Sequence, residues 1–102
     1  MDKSEISTKL IQAHKGVQRD GGYDDADTVA DSTCPLTDLK GFDSMLIPQL
    51  IRKVARDLGH PFKKGERVRK NVYVDGRRKL SISEIAVRLQ ALLAKNTKEV
   101  AA

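Results

Sequence analysis

Between Ile47 and Leu58 the apolar residues Ile47, Leu50, Ile51, Val54 and Leu58 recur at i, i+3, i+4, i+7 and i+11. Only an α-helix places that series on one face. Arg52, Lys53, Arg56 and Asp57 fall on the other face, and Gly59 followed by Pro61 ends the run. Pro48 lacks an N–H and disfavours helical geometry at Ile47, so it fits only the first turn. The helix therefore starts near Ile47, or a loose turn at Ser44 leads into it. A helix with one apolar face must bury that face against other elements, so this segment alone requires a packed domain.

Two further helices supply the packing. Ile6, Leu10, Ala13 and Val17 share a face after a candidate N-cap at Ser4, with Gly16 as the expected stop. His14 falls near that face and reads as a packed or surface residue rather than a ligand. Near the C-terminus, Ser81-Ile82-Ser83-Glu84 matches a capping box, with Ser81 as N-cap and Glu84 reaching back. Ile82, Ile85, Ala86, Leu89, Leu92 and Leu93 continue that helix along one side. The tail from 96 to 102 is expected to fray, leaving 4–95 as the ordered part of a single domain spanning 1–102.

The connections differ in character. Residues 18–41 show no sustained period and are rich in Gly, Asp, Thr and Pro, which predicts a long loop. Leu36, Leu39 and Phe42 are spaced to pin its end onto the core. Residues 60–80 are strongly basic. There Val72-Tyr73-Val74-Asp75-Gly76 suits a short strand and tight turn, so a small hairpin or a short helical turn is expected. The fold class is all-α: three main helices around one core, with a short helix or hairpin in the basic segment.

Charge and chemistry narrow the function. Residues 1–50 hold 5 Lys/Arg against 9 Asp/Glu, and residues 51–102 hold 14 against 5, so the overall +5 is a sum of opposites. A single Cys excludes an intramolecular disulfide framework and fits a reducing compartment, here read as the cytoplasm. No apolar run reaches the roughly 18 residues of a membrane span, and no secretory apolar region follows Met1. Asp24, Asp25, Asp27 and Asp31 lack the Gly and terminal Glu of a calcium loop. His14, His60 and Cys34 lack zinc-like spacing. Ser44 is not in a Gly-x-Ser-x-Gly elbow, so no hydrolase is expected.

The segment with the most chemistry is Leu39-Lys40-Gly41-Phe42-Asp43-Ser44-Met45, directly before the second long helix. Gly41 permits a tight approach and Phe42 anchors the loop. Asp43-Ser44 stands at a helix N-terminus, where a phosphate ester on the serine would meet unpaired N–H groups and the positive end of the helix dipole. In isolation, Asp43 or Ser44 reads simply as an N-cap.

With its neighbours, the run Cys34–Met45 resembles the segment before the second helix of acyl carrier proteins, where an apolar pattern leads to Gly-x-Asp-Ser-Leu/Met. The resemblance extends from about Leu36 to Leu93 and includes Asp57-Leu58-Gly59 and the capped helix from Ser81. It implies an acyl-carrier-like helical bundle that is not itself an enzyme. It further implies a 4′-phosphopantetheine arm on Ser44, taken from coenzyme A by a phosphopantetheinyl transferase. Asp43 would orient the serine and take part in metal-assisted transfer, and Met45 would offer an apolar contact to partners. Gly41 and Phe42 complete the attachment segment. The arm's thiol would carry an acyl or aminoacyl thioester.

Family members are usually acidic along this helix, whereas here the face carries Gln49, Arg52, Lys53 and Arg56. That difference implies acyl-activating or acyl-transferring partners with an acidic docking surface, in specialised lipid or secondary metabolism; the carrier is expected to be a monomer. Two other readings stand beside it. Arg67, Arg69, Lys70, Arg77, Arg78 and Lys79 around the hairpin could form a basic wing on nucleic acid, although no turn and recognition helix follow Ser81–Leu89. The same fold, unmodified at Ser44, could serve as a protein–protein adaptor.

Overall fold

The computed structural model describes residues 3–59 and 72–101, with side chains described through 93. In chain order it comprises α1 (Lys3–Asp20), a 3₁₀ turn (Asp24–Thr28), α2 (Pro35–Asp38), a second 3₁₀ turn (Ser44–Leu46), α3 (Ile47–Asp57), β1 (Val74–Asp75), β2 (Arg78–Lys79) and α4 (Ile82–Ala101). The chain is thus mostly helical, with three long helices, a four-residue helix and a two-stranded hairpin among the described residues. No described helix is long and apolar enough to cross a membrane. The basic residues Arg67, Arg69 and Lys70, together with His60 and Pro61, lie outside the described residues.

The central element is α1, which packs on α3, on α4 and on the 24–28 turn. Its buried side is Ile6, Ser7, Leu10, Ala13, His14 and Gln18. Gly16 was expected to stop this helix, and it does not. A glycine inside a helix costs about 1 kcal/mol relative to Ala, and the turn beyond it carries Gln18, buried and hydrogen-bonded to Asp25 and the Lys40 carbonyl. The stop comes at Gly21-Gly22: the Tyr23 N–H bonds the Gln18 carbonyl at 2.9 Å and the Gly22 N–H bonds that of Arg19 at 3.0 Å. This is a Schellman ending with Gly22 at φ 78°, a left-handed position open to glycine without penalty.

The stripe of α3 lies as expected: Ile47, Leu50, Ile51 and Val54 are buried and Leu58 half-buried. Both alternatives for its start are realised together, since a 3₁₀ turn at Ser44 leads into an α-helix beginning at Ile47. Pro48 then sits in the first turn, where its missing N–H leaves no helical bond unmade. Of the hairpin and the helical turn expected here, the hairpin forms, with Val74 opposite Lys79 and Asp75 opposite Arg78; Asp75 is in the strand rather than the turn, which runs through Gly76-Arg77. Val72, Tyr73 and Leu80 are buried at its base.

The capping box of α4 is complete. Glu84 N–H donates to Ser81 Oγ (3.3 Å), and Ser81 N–H donates to Glu84 Oε1 (3.1 Å). The long loop finishes the cap: Ile82 N–H bonds the Thr33 carbonyl (2.9 Å) and Ser83 N–H the Asp31 carbonyl (3.0 Å). Thus the first donors of α4, which no helix can satisfy internally, hold the 21–43 connection in place. Helical backbone continues to Ala101, into the 96–102 stretch expected to fray and beyond the last buried apolar residue described, Leu93.

Ser81→Ala is expected to lower the unfolding free energy by about 1 kcal/mol. Leu89→Ala, at a fully buried position, should cost about 2–5 kcal/mol. Urea titrations check both, as lower midpoints at unchanged slope.

Candidate functional site

Loop 39–46 is shaped by alternating burial and exposure. Leu39 and Phe42 enter the core, and the Lys40-Gly41 turn between them is closed by a bond from the Phe42 N–H to the Leu39 carbonyl at 3.4 Å. Gly41 has φ 70°, which favours glycine. It is also covered by the Tyr23 ring: a Cβ at position 41 would stand 2.6 Å from Tyr23 Cζ, and one at position 21 would stand 2.8 Å from Tyr23 Cε2. Tyr23 therefore occupies space that only glycines at 21 and 41 leave open.

Two buried polar side chains of α1 hold this loop. Gln18 Nε2 donates to the Lys40 carbonyl (2.8 Å) and to Asp25 Oδ1 (2.9 Å), while Asp25 Oδ2 accepts the Lys40 N–H (2.8 Å). The Lys40 peptide is thereby engaged on both sides. These donors, the Lys40 amide first and the Gln18 amide second, hold the Asp25 carboxyl below the usual carboxylate range. One turn earlier His14 is fully buried, with Nδ1 on the Leu10 carbonyl (2.6 Å) and Nε2 on the Tyr73 hydroxyl (2.8 Å). Its ring lies 5.2 Å from that of Phe42 and 5.7 Å from that of Tyr73, and Phe42 and Tyr73 stack at 5.8 Å. Burial drives the His14 pKa from 6.5 to about 4 against the raising effect of the Leu10 bond. Burial also pushes the Tyr73 phenol up. The imidazole is consequently neutral: a carbonyl can only accept, so Nδ1 carries the hydrogen and Nε2 accepts from the phenol.

After Phe42 the chain emerges. Asp43 is extended, and its Oδ1 accepts the Met45 N–H at 2.9 Å. Ser44 is exposed at the first position of the 3₁₀ turn, and Met45 beside it is 85% exposed. The N–H groups expected to be unpaired here are largely taken. Those of Leu46 and Ile47 bond the carbonyls of Asp43 and Ser44, and Pro48 has none. Asp43 is thus an N-cap in fact, and Ser44 is left as a projecting hydroxyl on a fixed helix start.

The other expected site residues separate by role. Phe42 is core rather than lining, and Gly41 is a turn residue under Tyr23. Lys53, Arg56 and Gln49 are exposed on α3 and Arg52 is half-buried. At the hairpin Arg78 is engaged with Glu84 (2.5 Å) and Asp75 (4.0 Å), while Arg88 of α4 reaches Asp75 at 3.2 Å. Arg77 and Lys79 are exposed. Among the described residues no cluster of His, Cys, Asp and Glu is placed to hold a metal. Cys34 is half-buried, and desolvation raises its thiol pKa, which disfavours a reactive thiolate.

Sequence reasoning missed Gln18, Asp25, Tyr23 and Tyr73 as positioning residues. Gln18 lies past the glycine expected to end α1, and Asp25 is one of four loop acids that the sequence shows only to lack a calcium-loop pattern. No family model, curated protein or solved structure matches this chain.

Gly41→Ala should destabilise by about 1–2 kcal/mol from the backbone alone, with a further loss from the Tyr23 ring. In a Tyr23→Ala background the ring's share should vanish and the backbone share persist. Urea melts of the two singles and the double variant separate the terms.

Proposed function

We propose that the chain is an acyl carrier, with Ser44 as the attachment point of 4′-phosphopantetheine and no catalytic site of its own. The observation that carries the reading is the position of Ser44. Its exposed residue begins a helix immobilised on one side by buried Phe42 and on the other by buried Ile47. A carrier needs such a hydroxyl: accessible to a modifying enzyme, yet fixed in direction by the bundle.

The residues present fit the group. Transfer from coenzyme A replaces the Ser44 O–H bond by an O–P bond, releasing adenosine 3′,5′-bisphosphate and the hydroxyl proton. Asp43 holds the turn that begins at Ser44 by accepting the Met45 N–H, and as an exposed residue it is open to a metal-assisted transferase. When bound, the arm supplies a thiol that carries an acyl or aminoacyl group as a thioester. Met45 offers an apolar contact beside the attachment point. Lys53 and Arg56, with Arg52, give α3 a basic surface suited to acyl-activating or acyl-transferring enzymes with an acidic docking face. On this proposal the chain is an acyl-carrier-like bundle acting as a cytoplasmic monomer in specialised lipid or secondary metabolism.

Incubation with coenzyme A and phosphopantetheinyl transferases of broad specificity should add the mass of the arm, and Ser44→Ala should abolish the gain. Intact-protein mass spectrometry reads both. An unchanged mass with several transferases sinks the carrier. A steep salt-dependent mobility shift with nucleic acid, lost on neutralising Arg77, Arg78 and Lys79, would then favour the basic-wing reading. Neither result would leave the adaptor.

A further inference from the structure

Loop 39–46 hangs from α1 by two polar attachments one helical turn apart. Gln18 and Asp25 hold the Lys40 peptide, and His14 with Tyr73 clasps Phe42. His14 and Tyr73 are 59 residues apart in sequence, so their bond joins α1 to the hairpin that introduces α4. Phe42 packs on both rings and is two residues from Ser44.

We propose that the His14 attachment is an acid-operated latch: protonating the imidazole releases Phe42 and the Ser44 turn while Lys40 stays tied to α1. In the neutral ring Nε2 accepts from the Tyr73 hydroxyl. Protonation puts a hydrogen on Nε2, so that the phenol must turn and accept, and it places a charge in a fully buried site. From the hairpin the titratable group facing His14 is Tyr73, and from the loop the facing group is the neutral ring of Phe42. On α1 itself the next buried polar residue, Gln18, is neutral, and Lys15 and Arg19 lie on partly or fully exposed positions. The helices packed against α1 present apolar residues to the core. Lys53 and Arg56 of α3 are exposed, and Arg52 of α3 with Glu84 and Arg88 of α4 are half-exposed. The hydrogen bonds of the ring go to the Leu10 carbonyl and the Tyr73 hydroxyl, so among the described residues no carboxylate bonded to it receives the new charge.

The two attachments answer protons in different ranges. An imidazole with its pKa lowered from 6.5 to about 4 contributes closure that is complete above pH 6.5 and is lost as pH falls toward 4. Over that range the open form takes up a proton that the closed form refuses, and each pH unit favours opening by up to about tenfold. The Asp25 carboxyl is held below its ordinary value, so it stays ionised throughout that window and yields only at lower pH. Acid therefore loosens the loop from its Phe42 side.

Amide hydrogen exchange on the intact chain between pH 7 and 4.5, corrected for intrinsic rates, tests this. Protection at the Met45 and Leu46 amides should fall by up to about tenfold per pH unit below 6.5, while Lys40 and the Ile85–Leu89 amides of α4 keep theirs. His14→Gln, which retains a polar partner for Tyr73 but cannot titrate, should remove the dependence. His60→Gln should leave it intact. In the wild-type chain the His14 ring signals should titrate in step with the loop amides, a readout that survives should His14→Gln fail to fold. Uniform loss of protection in all elements, a slope that persists in His14→Gln or follows His60, or ring and loop midpoints that differ would overturn the latch. None of these readouts depends on what Ser44 carries.

Discussion

The hydrogen bonds of Gln18 to the Lys40 peptide and to Asp25 are the constraint on which the geometry before α3 depends. The connection between α1 and the turn at Ser44 is long and mostly polar, and ordering such a chain costs about 1–2 kcal/mol per residue in backbone entropy. Apolar burial at Ala26, Val29, Leu39 and Phe42 offsets part of that cost. What makes the path unique is directional: a buried amide donates to a carbonyl and a carboxylate at once, and each unmade bond would leave a desolvated polar group. The same economy appears at the far side of the loop, where the unpaired donors of α4 fasten to the Asp31 and Thr33 carbonyls. One connection thus ties α1 to α4 while delivering Asp43 and Ser44 to the head of α3.

The periodic parts of this chain were legible because their information is local. The α3 stripe and the Ser81–Glu84 box each specify geometry within a dozen residues and form as expected, whereas the segment around Gly76 left hairpin and helical turn open and forms the hairpin with its turn one residue later than the Asp75-Gly76 pair suggested. Gly16 misled for the same reason. A local stop signal was overridden by a tertiary bond from Gln18, a residue whose partners are Asp25 and Lys40. Tyr73 paired with His14 could not be read from spacing, since nothing in a linear pattern links two residues 59 apart. The candidate site divides along this line. Ser44, Asp43 and Met45 were visible as a motif, and their setting, a turn with its N–H groups already engaged, was not.

That setting bears on how a negative group at Ser44 would be accommodated. With the Met45, Leu46 and Ile47 N–H groups occupied, direct hydrogen bonds from the helix start are not the means. The aligned peptide dipoles remain, at the scale of about half a charge at a helix N-terminus, and Asp43 opposes them. The helix start therefore does not act as an anion receptor, and its value lies in rigidity. A phosphate there would stay in solvent, beside an exposed Met45.

The charge asymmetry of the chain then acquires a spatial meaning. The acidic first half is partly consumed in contacts within the chain: Asp25 binds the Lys40 peptide, Asp38 accepts the Cys34 N–H and Asp27 pairs with Arg19. The basic half is consumed at the hairpin, where Arg78 and Arg88 meet Glu84 and Asp75, and is displayed on α3, where Lys53 and Arg56 face solvent. Exposed pairs of this kind contribute about 0–1 kcal/mol to stability, so the cations of α3 are not needed to hold the bundle together. Their effect is on encounter: a basic helix speeds approach of acidic surfaces and penalises basic ones. A serine displayed at the head of that helix is presented to whatever the charge admits.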